Sequence, residues 1–347
     1  MLTAERSFAI FYRLLSHRTA NNSHAMALDL ITPVTSDDRL HPNFLRTLDA
    51  GASGVRAVLQ GWADGFVDRD GKFVHEFQTT YNSGFWELYL FAVLKELGID
   101  VDFSHAAPDF VARDLPLVIE ATIASHAHDD VPEWEKTLAG ITHDQLGPAY
   151  VQSIIRLSNA LLGKSKRYDS YSAKPFMAGR SYIIAISNYG TQDFYMLGDV
   201  AMQRLLYDQY EEKQVLKSNG APVAVGLFRS DAFKHISGIL YSTTATFGKA
   251  RALGNDEGDF VFQAVRIRNN LEPVRIIAQK KDYKESLIDG LRLFTNPFAE
   301  HPVDLNWFDD PGVRIFAAEK DGGLSISCHP DGDLYARQVH NLIRRSR

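Results

Sequence analysis

The stretch PDFVARDLPLVIEATIAS, residues 108–125, decides how the rest of this sequence is interpreted. Two apolar segments, 108–112 and 115–125, are separated by a charged pair, a pattern typical of two strands joined by a tight turn. Successive side chains of a strand point to opposite faces, so Glu120 shares a face with Val118. A carboxylate on an apolar strand is costly to bury unless a cation lies close to it.

A second carboxylate, Asp109, opens the first of these strands. If the two strands pair antiparallel, Asp109 lies close to Glu120 across the turn. Adjacent carboxylates repel each other unless they share a proton or a metal ion, and hard cations such as Mg²⁺ prefer oxygen ligands. Mg²⁺ sites often use one or two carboxylates together with a substrate phosphate, so the pattern predicts a Mg²⁺ (or Mn²⁺) site suited to phosphodiester hydrolysis.

The segments around this stretch change from helical to strand periodicity and back again. From residue 84 to residue 187 the predicted order is helix, three strands, helix and strand. The first helix begins near Asn82 or Ser83 and stops at Gly98, and the remaining elements cover 99–104, 108–112, 115–125, 149–168 and 181–187. This order predicts an α/β fold with a mixed central sheet and helices packed on its faces.

With these residues the chain resembles the PD-(D/E)XK nuclease superfamily, which has the restriction-endonuclease-like fold. The resemblance depends on Pro108-Asp109, on Glu120-Ala121-Thr122, and on Glu87 in the preceding helix. It covers the core from 84 to 187 and leaves both flanks unexplained. It implies a metal-dependent nuclease, with DNA as the expected substrate, in which Glu87, Asp109 and Glu120 bind the metal ion.

The chain departs from the family pattern at Thr122, where most members carry a lysine that stabilises charge in the transition state. Threonine is uncharged, so catalysis at this site would require a cation from another part of the chain. Lys164 and Lys166, near the end of the helix over 149–168, are the preferred candidates for this catalytic role beside Thr122, and Lys136, in an acidic loop where ion pairing competes, is the third. A second hypothesis stays open, namely a catalytically inactive protein of the same fold that binds nucleic acid or acts as a scaffold or sensor.

A basic segment follows this helix, with aromatic residues interleaved. Over 163–180 the candidate nucleic-acid contacts are Lys164, Lys166, Arg167, Lys174 and Arg180. Such a segment is typical of a surface that contacts phosphates and stacks on bases, and a solvated surface loop is the alternative.

The flanks suggest elaborations of one domain. We divide the chain into a helical N-terminal extension (1–75), the core (76–212) and a C-terminal α/β extension of the same domain (213–347). Other expected elements are helical segments over 41–66 and 194–210, strands at 223–228, 236–242, 260–267, 313–319 and 324–328, and a terminal helix over 333–345.

The composition limits the class of protein. The formal charge of −6 and the pI of about 6.1 argue against nucleic-acid binding by bulk charge, although local basic patches remain compatible with them. The single cysteine, Cys328, excludes an intramolecular disulfide and indicates a reducing compartment. Residues 1–20 do not read as a secretory signal, and no apolar run reaches membrane-spanning length. We therefore expect a cytoplasmic protein without membrane association, with homo-oligomerisation left open.

Overall fold

The computed structural model describes residues 28–128, 130–135, 143–209 and 214–341. The helices of these ranges are α1 (Pro42–Leu48), α2 (Ser53–Trp62), α3 (Phe73–Thr79), α4 (Tyr81–Glu96), α5 (His143–Arg167), α6 (Val200–Tyr207) and α7 (Phe247–Leu253). The strands are β1 (Phe110–Val111), β2 (Leu117–Ser125), β3 (Ser181–Tyr189), β4 (Gly238–Ser242), β5 (Phe260–Ile267), β6 (Pro273–Gln279), β7 (Leu291–Thr295), β8 (Val313–Ala318), β9 (Leu324–Ile326) and β10 (Asp333–Asn341). Within the described ranges, none of the helices is both long enough and apolar enough to cross a membrane.

A seven-stranded sheet forms the centre of the fold, with the order β1-β2-β3-β4-β7-β8-β9. The pairs β2–β3, β3–β4 and β7–β8 are parallel and the other neighbours are antiparallel. Helices cover both faces, so the predicted α/β class with a mixed central sheet is confirmed. The predicted hairpin is also present, because β1 pairs antiparallel with β2 and Phe110 faces Ile119.

The two faces of β2 pack against different helices, as the alternation of its side chains predicts. Leu117 and Ile119 belong to the core that contains α4. Val118 and Ala124 belong to the core that contains the apolar face of α5. Glu120 points to the α5 face and is only 3% exposed, so its carboxylate is enclosed between the sheet and that helix.

Helix α4 is buried on nearly every side, as its apolar sequence predicts. It begins at Tyr81, directly after α3, so the predicted start at Asn82 or Ser83 is late. The helix ends before Gly98, whose φ of 71° lies in the left-handed region that favours glycine. The indole Nε1 of Trp86 donates a 3.1 Å hydrogen bond to the carbonyl of Ala185, which anchors α4 to β3.

The N-terminal helices and the C-terminal part of the chain share one core. The expected helical segment over 41–66 is divided into α1 and α2 around a 3₁₀ turn that contains Gly51. At the start of α2, Asp256 accepts hydrogen bonds from the amides of Gly54 (2.6 Å) and Val55 (3.1 Å). No side chain fits at Gly54, because a Cβ there would lie 2.5 Å from the backbone nitrogen of Asn255.

The three-part division of the chain stays a prediction, and residues from all three parts share one core. The main apolar core runs from Leu30 to Val313, and the proposed boundary at 75/76 cuts α3. Residues 1–27 of the predicted N-terminal extension lie outside the described residues.

The strand predicted at 99–104 is wrong. Val101 makes one isolated antiparallel bridge to Ala112, and the chain then turns because the Asp102 carboxylate accepts from the amide of Ser104. An aspartate that bonds to its own following backbone favours a turn over a continued strand.

The strand predicted at 223–228 is wrong as well. Gly226 adopts a φ of 70°, and the amides of Leu227 and Phe228 donate to the carbonyls of Leu205 and Leu206 near the end of α6. The backbone amides of this segment therefore donate to the free carbonyls at the end of α6, and the segment does not join the sheet.

The predicted terminal helix over 333–345 is replaced by β10, which pairs antiparallel with β5. A bulge between Leu334 and Ala336 shifts the side-chain alternation, which gives an apolar spacing that imitates a helix. Residues 342–347 lie outside the described residues.

The C-terminal part extends the central sheet only in part. Strands β4, β7, β8 and β9 join it, whereas β5, β6 and β10 form a separate three-stranded sheet. Buried ion pairs connect the two sheets and the chain beside them: Arg266 of β5 binds Asp289, two residues before β7, through its two terminal guanidinium nitrogens at 3.2 and 2.7 Å. Arg314 of β8 lies 3.4 Å from Asp333 of β10.

Candidate active site

The carboxylates of Asp109 and Glu120 come together at the β1–β2 hairpin. Asp109 lies one residue before β1, and its Oδ2 accepts a 2.7 Å hydrogen bond from the amide of Ala121. That bond holds the Asp109 carboxylate beside the backbone of β2, next to the residue that carries the Glu120 side chain. The closeness predicted from an antiparallel hairpin is therefore present.

Lys164 supplies a cation to this pair from α5. Its Nζ lies 2.6 Å from Oε1 of Glu120, with the lysine side chain 17% exposed and the glutamate side chain 4% exposed. Helix α5 reaches the strand because Leu157 and Leu161, two turns and one turn before Lys164, pack in the same core as Val118. The chain thus places a lysine on the Thr122 face of β2 although the strand itself carries none.

The other oxygen of Glu120 has no such contact. Oε2 is buried and makes no hydrogen bond within the described part of the chain. The Tyr171 hydroxyl is close enough to Glu120 for hydrogen bonding to raise the pKa of the tyrosine, and Oε2 keeps capacity to accept from a cation or a proton.

The pKa values of the neighbouring acids reflect burial and mutual repulsion. Burial, and then the charge of Asp109, raise the pKa of Glu120, while Lys164 opposes this shift. Burial and then Asp109 also raise the pKa of Glu87, to about 8, against the opposing charges of Arg69 and Lys164. The three predicted metal-binding acids are therefore electrostatically linked, and one of them retains a proton near neutral pH unless a cation replaces it.

Two tyrosines border this site: Tyr171 is one of the aromatic residues interleaved in the basic segment over 163–180, and Tyr182 was not singled out by the sequence patterns. The hydroxyls of Tyr171 and Tyr182 lie 2.8 Å apart, and Tyr182 Oη lies 3.5 Å from the carbonyl of Lys164. Burial is the main cause of the raised pKa of both hydroxyls, and the negative charges of Glu120 and Asp109 raise them further. For Tyr182, its place inside the apolar strand SYIIAIS is a sequence signal, since buried tyrosine hydroxyls need a hydrogen-bond partner.

The basic segment divides into residues that face solvent and one that braces the hairpin. Lys166, Arg167 and Lys174 are exposed, and Lys174 lies over the ring of Phe176 at 6.0 Å. The Nη1 of Arg180 instead donates to the carbonyls of the hairpin residues Ala112, Leu115 and Leu117. Nucleic-acid contact by any of these residues stays a prediction.

The donor set in this site fits a hard cation with two carboxylates. Among the described residues, no group of three or more His, Cys, Asp or Glu side chains surrounds one cation position. Glu87 is electrostatically coupled to Asp109, and its part in binding a metal ion stays a prediction. Asp109 and Glu120 remain as oxygen donors, which is the number that Mg²⁺ often takes from protein when substrate phosphate and water complete its shell.

Comparison with models of known protein families, with curated proteins and with solved structures gives no match to this chain. The interpretation of the site accordingly depends on the motif in the sequence and on the geometry described above.

Proposed function

We propose that this protein is a metal-dependent nuclease that hydrolyses phosphodiester bonds, with DNA as its substrate. The observation that carries the proposal is the contact between Lys164 and Glu120 beside Asp109. It assembles, from a strand and a helix, the two acids and the lysine that the PD-(D/E)XK resemblance implies, although Thr122 stands at the usual lysine position. We place this activity in a cytoplasmic setting, in keeping with the single cysteine.

Each residue of the site has a separate role in the proposed hydrolysis. Asp109 and Glu120 would hold Mg²⁺ or Mn²⁺, which when bound polarises the phosphate and lowers the pKa of a water molecule. Lys164 neutralises negative charge that develops on the phosphate, and it orients the attacking water through its N–H donors. Glu87 sets the charge balance of the two acids. Thr122 can donate one neutral hydrogen bond at the same strand face.

The exposed basic residues after α5 supply a route for the substrate backbone. Lys166, Arg167 and Lys174 follow Lys164 in the chain and face solvent, so they can contact phosphates without leaving a buried partner unpaired. Phe176 stacks on His105 with ring centroids 3.9 Å apart, which adds an aromatic surface beside these cations.

The experiment that tests the proposal is a cleavage assay with plasmid, single-stranded DNA and RNA, each with Mg²⁺, Mn²⁺ or EDTA. We expect metal-dependent cleavage of DNA by the wild type. Asp109→Asn and Lys164→Met should each lower the rate by about 10²–10³, which is the usual cost of one lost transition-state contact. Lys281→Ala, a change of an exposed lysine in the C-terminal part, is the matched control and should cleave at the wild-type rate. Full activity of Lys164→Met would contradict the assignment of the cation.

The second candidate is a catalytically inactive protein of the same fold that binds nucleic acid or acts as a scaffold or sensor. It is favoured by the direct ion pair itself, because Lys164 compensates Glu120 without any metal ion, and by the absence of charge at Thr122. Inert wild-type protein together with metal-dependent cleavage by Thr122→Lys would select this candidate. Cleavage by the wild type would exclude it.

A further inference from the structure

A large cavity lies at the carboxyl end of β3, away from the candidate active site. Among the described residues it encloses about 930 Å³ and is bordered by the N-terminal part of α4, by the chain after β3, by α7 and by the three-stranded sheet. Pockets of this size hold small organic ligands, and the carboxyl edge of parallel strands is a common place for them. Tyr189 lines the cavity five residues beyond Ile184, the neighbour of Glu120, so about 17 Å of strand separates the two sites.

A buried carboxylate forms one wall of the cavity. Glu133 is 3% exposed, and its Oε1 accepts hydrogen bonds from the side-chain amides of Asn43 (2.5 Å) and Asn82 (3.0 Å). Arg46 supports the cluster by donating to Oδ1 of Asn43 and to the carbonyl of Trp134. Both amides converge on Oε1, and within the described part of the chain Oε2 can accept from a ligand N–H or O–H group.

An unpartnered hydroxyl lies beside this carboxylate. Tyr81 is 2% exposed, lines the cavity, and its Oη makes no hydrogen bond within the described part of the chain. Burial raises the pKa of this hydroxyl, the neighbouring Tyr189 and Glu133 raise it further, and Glu133 lines the same cavity. Native proteins rarely leave a buried hydroxyl unsatisfied, so Tyr81 points to a polar group that enters from the cavity.

A buried arginine lies at the opposite wall. Arg337 lines the cavity and pairs with Glu285, and Lys249, whose pKa is lowered by burial, contacts the same carboxylate from behind the cavity wall. The Nε of Arg337 has no hydrogen-bond partner within the described chain. A Cβ at Gly248 would lie 3.3 Å from that Nε, so the glycine leaves space in front of it.

Aromatic rings line the space between these two ends. They come from α4, from the chain at the end of β3, from α7 and from β5, and are Tyr81, Phe85, Tyr189, Phe194, Tyr195, Phe247 and Phe260. A planar ring fits between such walls by stacking on their faces.

From these observations we propose that the cavity binds a nucleoside monophosphate. The base donates an N–H group to Glu133 and accepts from Tyr81, and the phosphate group faces Arg337. A free amino acid could satisfy the same two charged ends, but it would leave most of the aromatic walls and most of the volume unused. The proposal is independent of the nuclease assignment, because the cavity shares no residue with the Asp109, Glu120 and Lys164 site.

The test is calorimetric titration of the full-length chain in EDTA with AMP, GMP, CMP and UMP, and with inorganic phosphate, ribose 5-phosphate and glutamine as comparison ligands. We expect at least one nucleotide to bind at least tenfold more tightly than any comparison ligand. Tyr81→Phe removes one hydroxyl that has no partner, so the fold should stay intact while nucleotide affinity falls about five- to tenfold, the range for one hydrogen bond. Glu133→Gln turns the acceptor at Oε2 into a donor and should lower affinity more than tenfold.

Glu120→Gln separates the two sites, because it removes the charge of the candidate active site and leaves the cavity unchanged. Unaltered nucleotide binding by this variant supports the proposal whether or not the protein cleaves DNA. Loss of binding by Glu120→Gln would place the nucleotide in the other site and overturn the proposal. Binding of inorganic phosphate or glutamine as tightly as nucleotides, no nucleotide binding at all, or full affinity of both cavity variants would overturn it too.

Discussion

The ion pair between Lys164 and Glu120 allows a quantitative test of how β2 tolerates a buried acid. Removing one member of a buried ion pair costs about 3–5 kcal/mol when the remaining charge stays enclosed. Lys164→Met leaves the Glu120 side chain, which is 4% exposed, without its cation. Lys164 itself is 17% exposed, so water can enter the vacated space, and we expect a loss of about 2–4 kcal/mol in the free energy of unfolding at pH 8.

Removing the charge of Glu120 should lower the free energy of unfolding less than removing Lys164 does. In Glu120→Gln the amide needs no cation, and Lys164 can turn toward solvent along its flexible stem, so about 1–2 kcal/mol is expected. The double variant should lose about 1–3 kcal/mol less than the sum of the single losses, because each single change already breaks the pair. Lys166→Met, two residues further along the same helix and exposed, is the matched control and should stay within about 0.5 kcal/mol of wild type.

Acid should rescue Lys164→Met. Burial and Asp109 already raise the pKa of Glu120, and loss of Lys164 removes an opposing charge, so the folded-state pKa rises further above the unfolded value. An acid with a raised folded-state pKa loses stability as pH rises from its unfolded pKa to its folded pKa. The free energy of unfolding of Lys164→Met should therefore be closer to the wild-type value at pH 5 than at pH 8.

Urea unfolding in EDTA, followed by tryptophan fluorescence, measures these free energies without interference from metal binding. A coupling energy below about 0.5 kcal/mol in the double-mutant cycle would refute the reasoning, since contacting groups couple more strongly than that. A deficit of Lys164→Met that is the same at both pH values would refute the electrostatic part.

Two further predictions use contacts elsewhere in the chain. Gly54→Ala should destabilise the protein by more than about 2 kcal/mol, because the new Cβ would lie 2.5 Å from the backbone nitrogen of Asn255. Gly61→Ala lies in the same helix with open space around it, so this variant should be more stable than wild type by about 0.5–1 kcal/mol. Equal free energies of unfolding for these two variants would contradict the close approach at Gly54. Burial raises the pKa of Asp289, but the hydrogen bonds and charge of Arg266 outweigh burial and hold this pKa below the ordinary value of 3.8. The pair therefore contributes stability above pH 4, and this stability is lost as the pH falls through the folded-state pKa. Melting temperatures of wild type and Asp289→Asn should therefore differ more at pH 7 than at pH 3, and a constant gap would show that the charge of Asp289 does not matter.

Local patterns predicted the elements around the candidate site well. The alternation in LPLVIEATIAS fixes which side chains of β2 face α4 and which face α5, because the two-residue period of a strand leaves one choice once one face is apolar. Strand β3 and helix α5 were predicted from long, strongly periodic segments. The same patterns identified Lys164 as a candidate cation, since a lysine in the last turn of a helix that packs on β2 is within reach of that strand.

Elements that depend on distant contacts were predicted poorly. Strands β6 and β7 were missed and β10 was taken for a helix, although β10 pairs along its length with β5. These short strands have weak periodicity of their own, and β-strand preference depends on cross-strand neighbours that lie far away in the chain.

The sequence alone determined the α/β class, the hairpin at 108–125 and the presence of an acid that needs a cation, because each follows from periodicity and from the cost of burying charge. Only the tertiary structure decided that Lys164, and not the exposed Lys166, meets Glu120. It also decided that Glu133, from a polar segment with no motif, lies beside Tyr81 in a separate cavity. Both outcomes depend on how the chain between distant elements folds back, and local sequence carries little information on such long-range contacts.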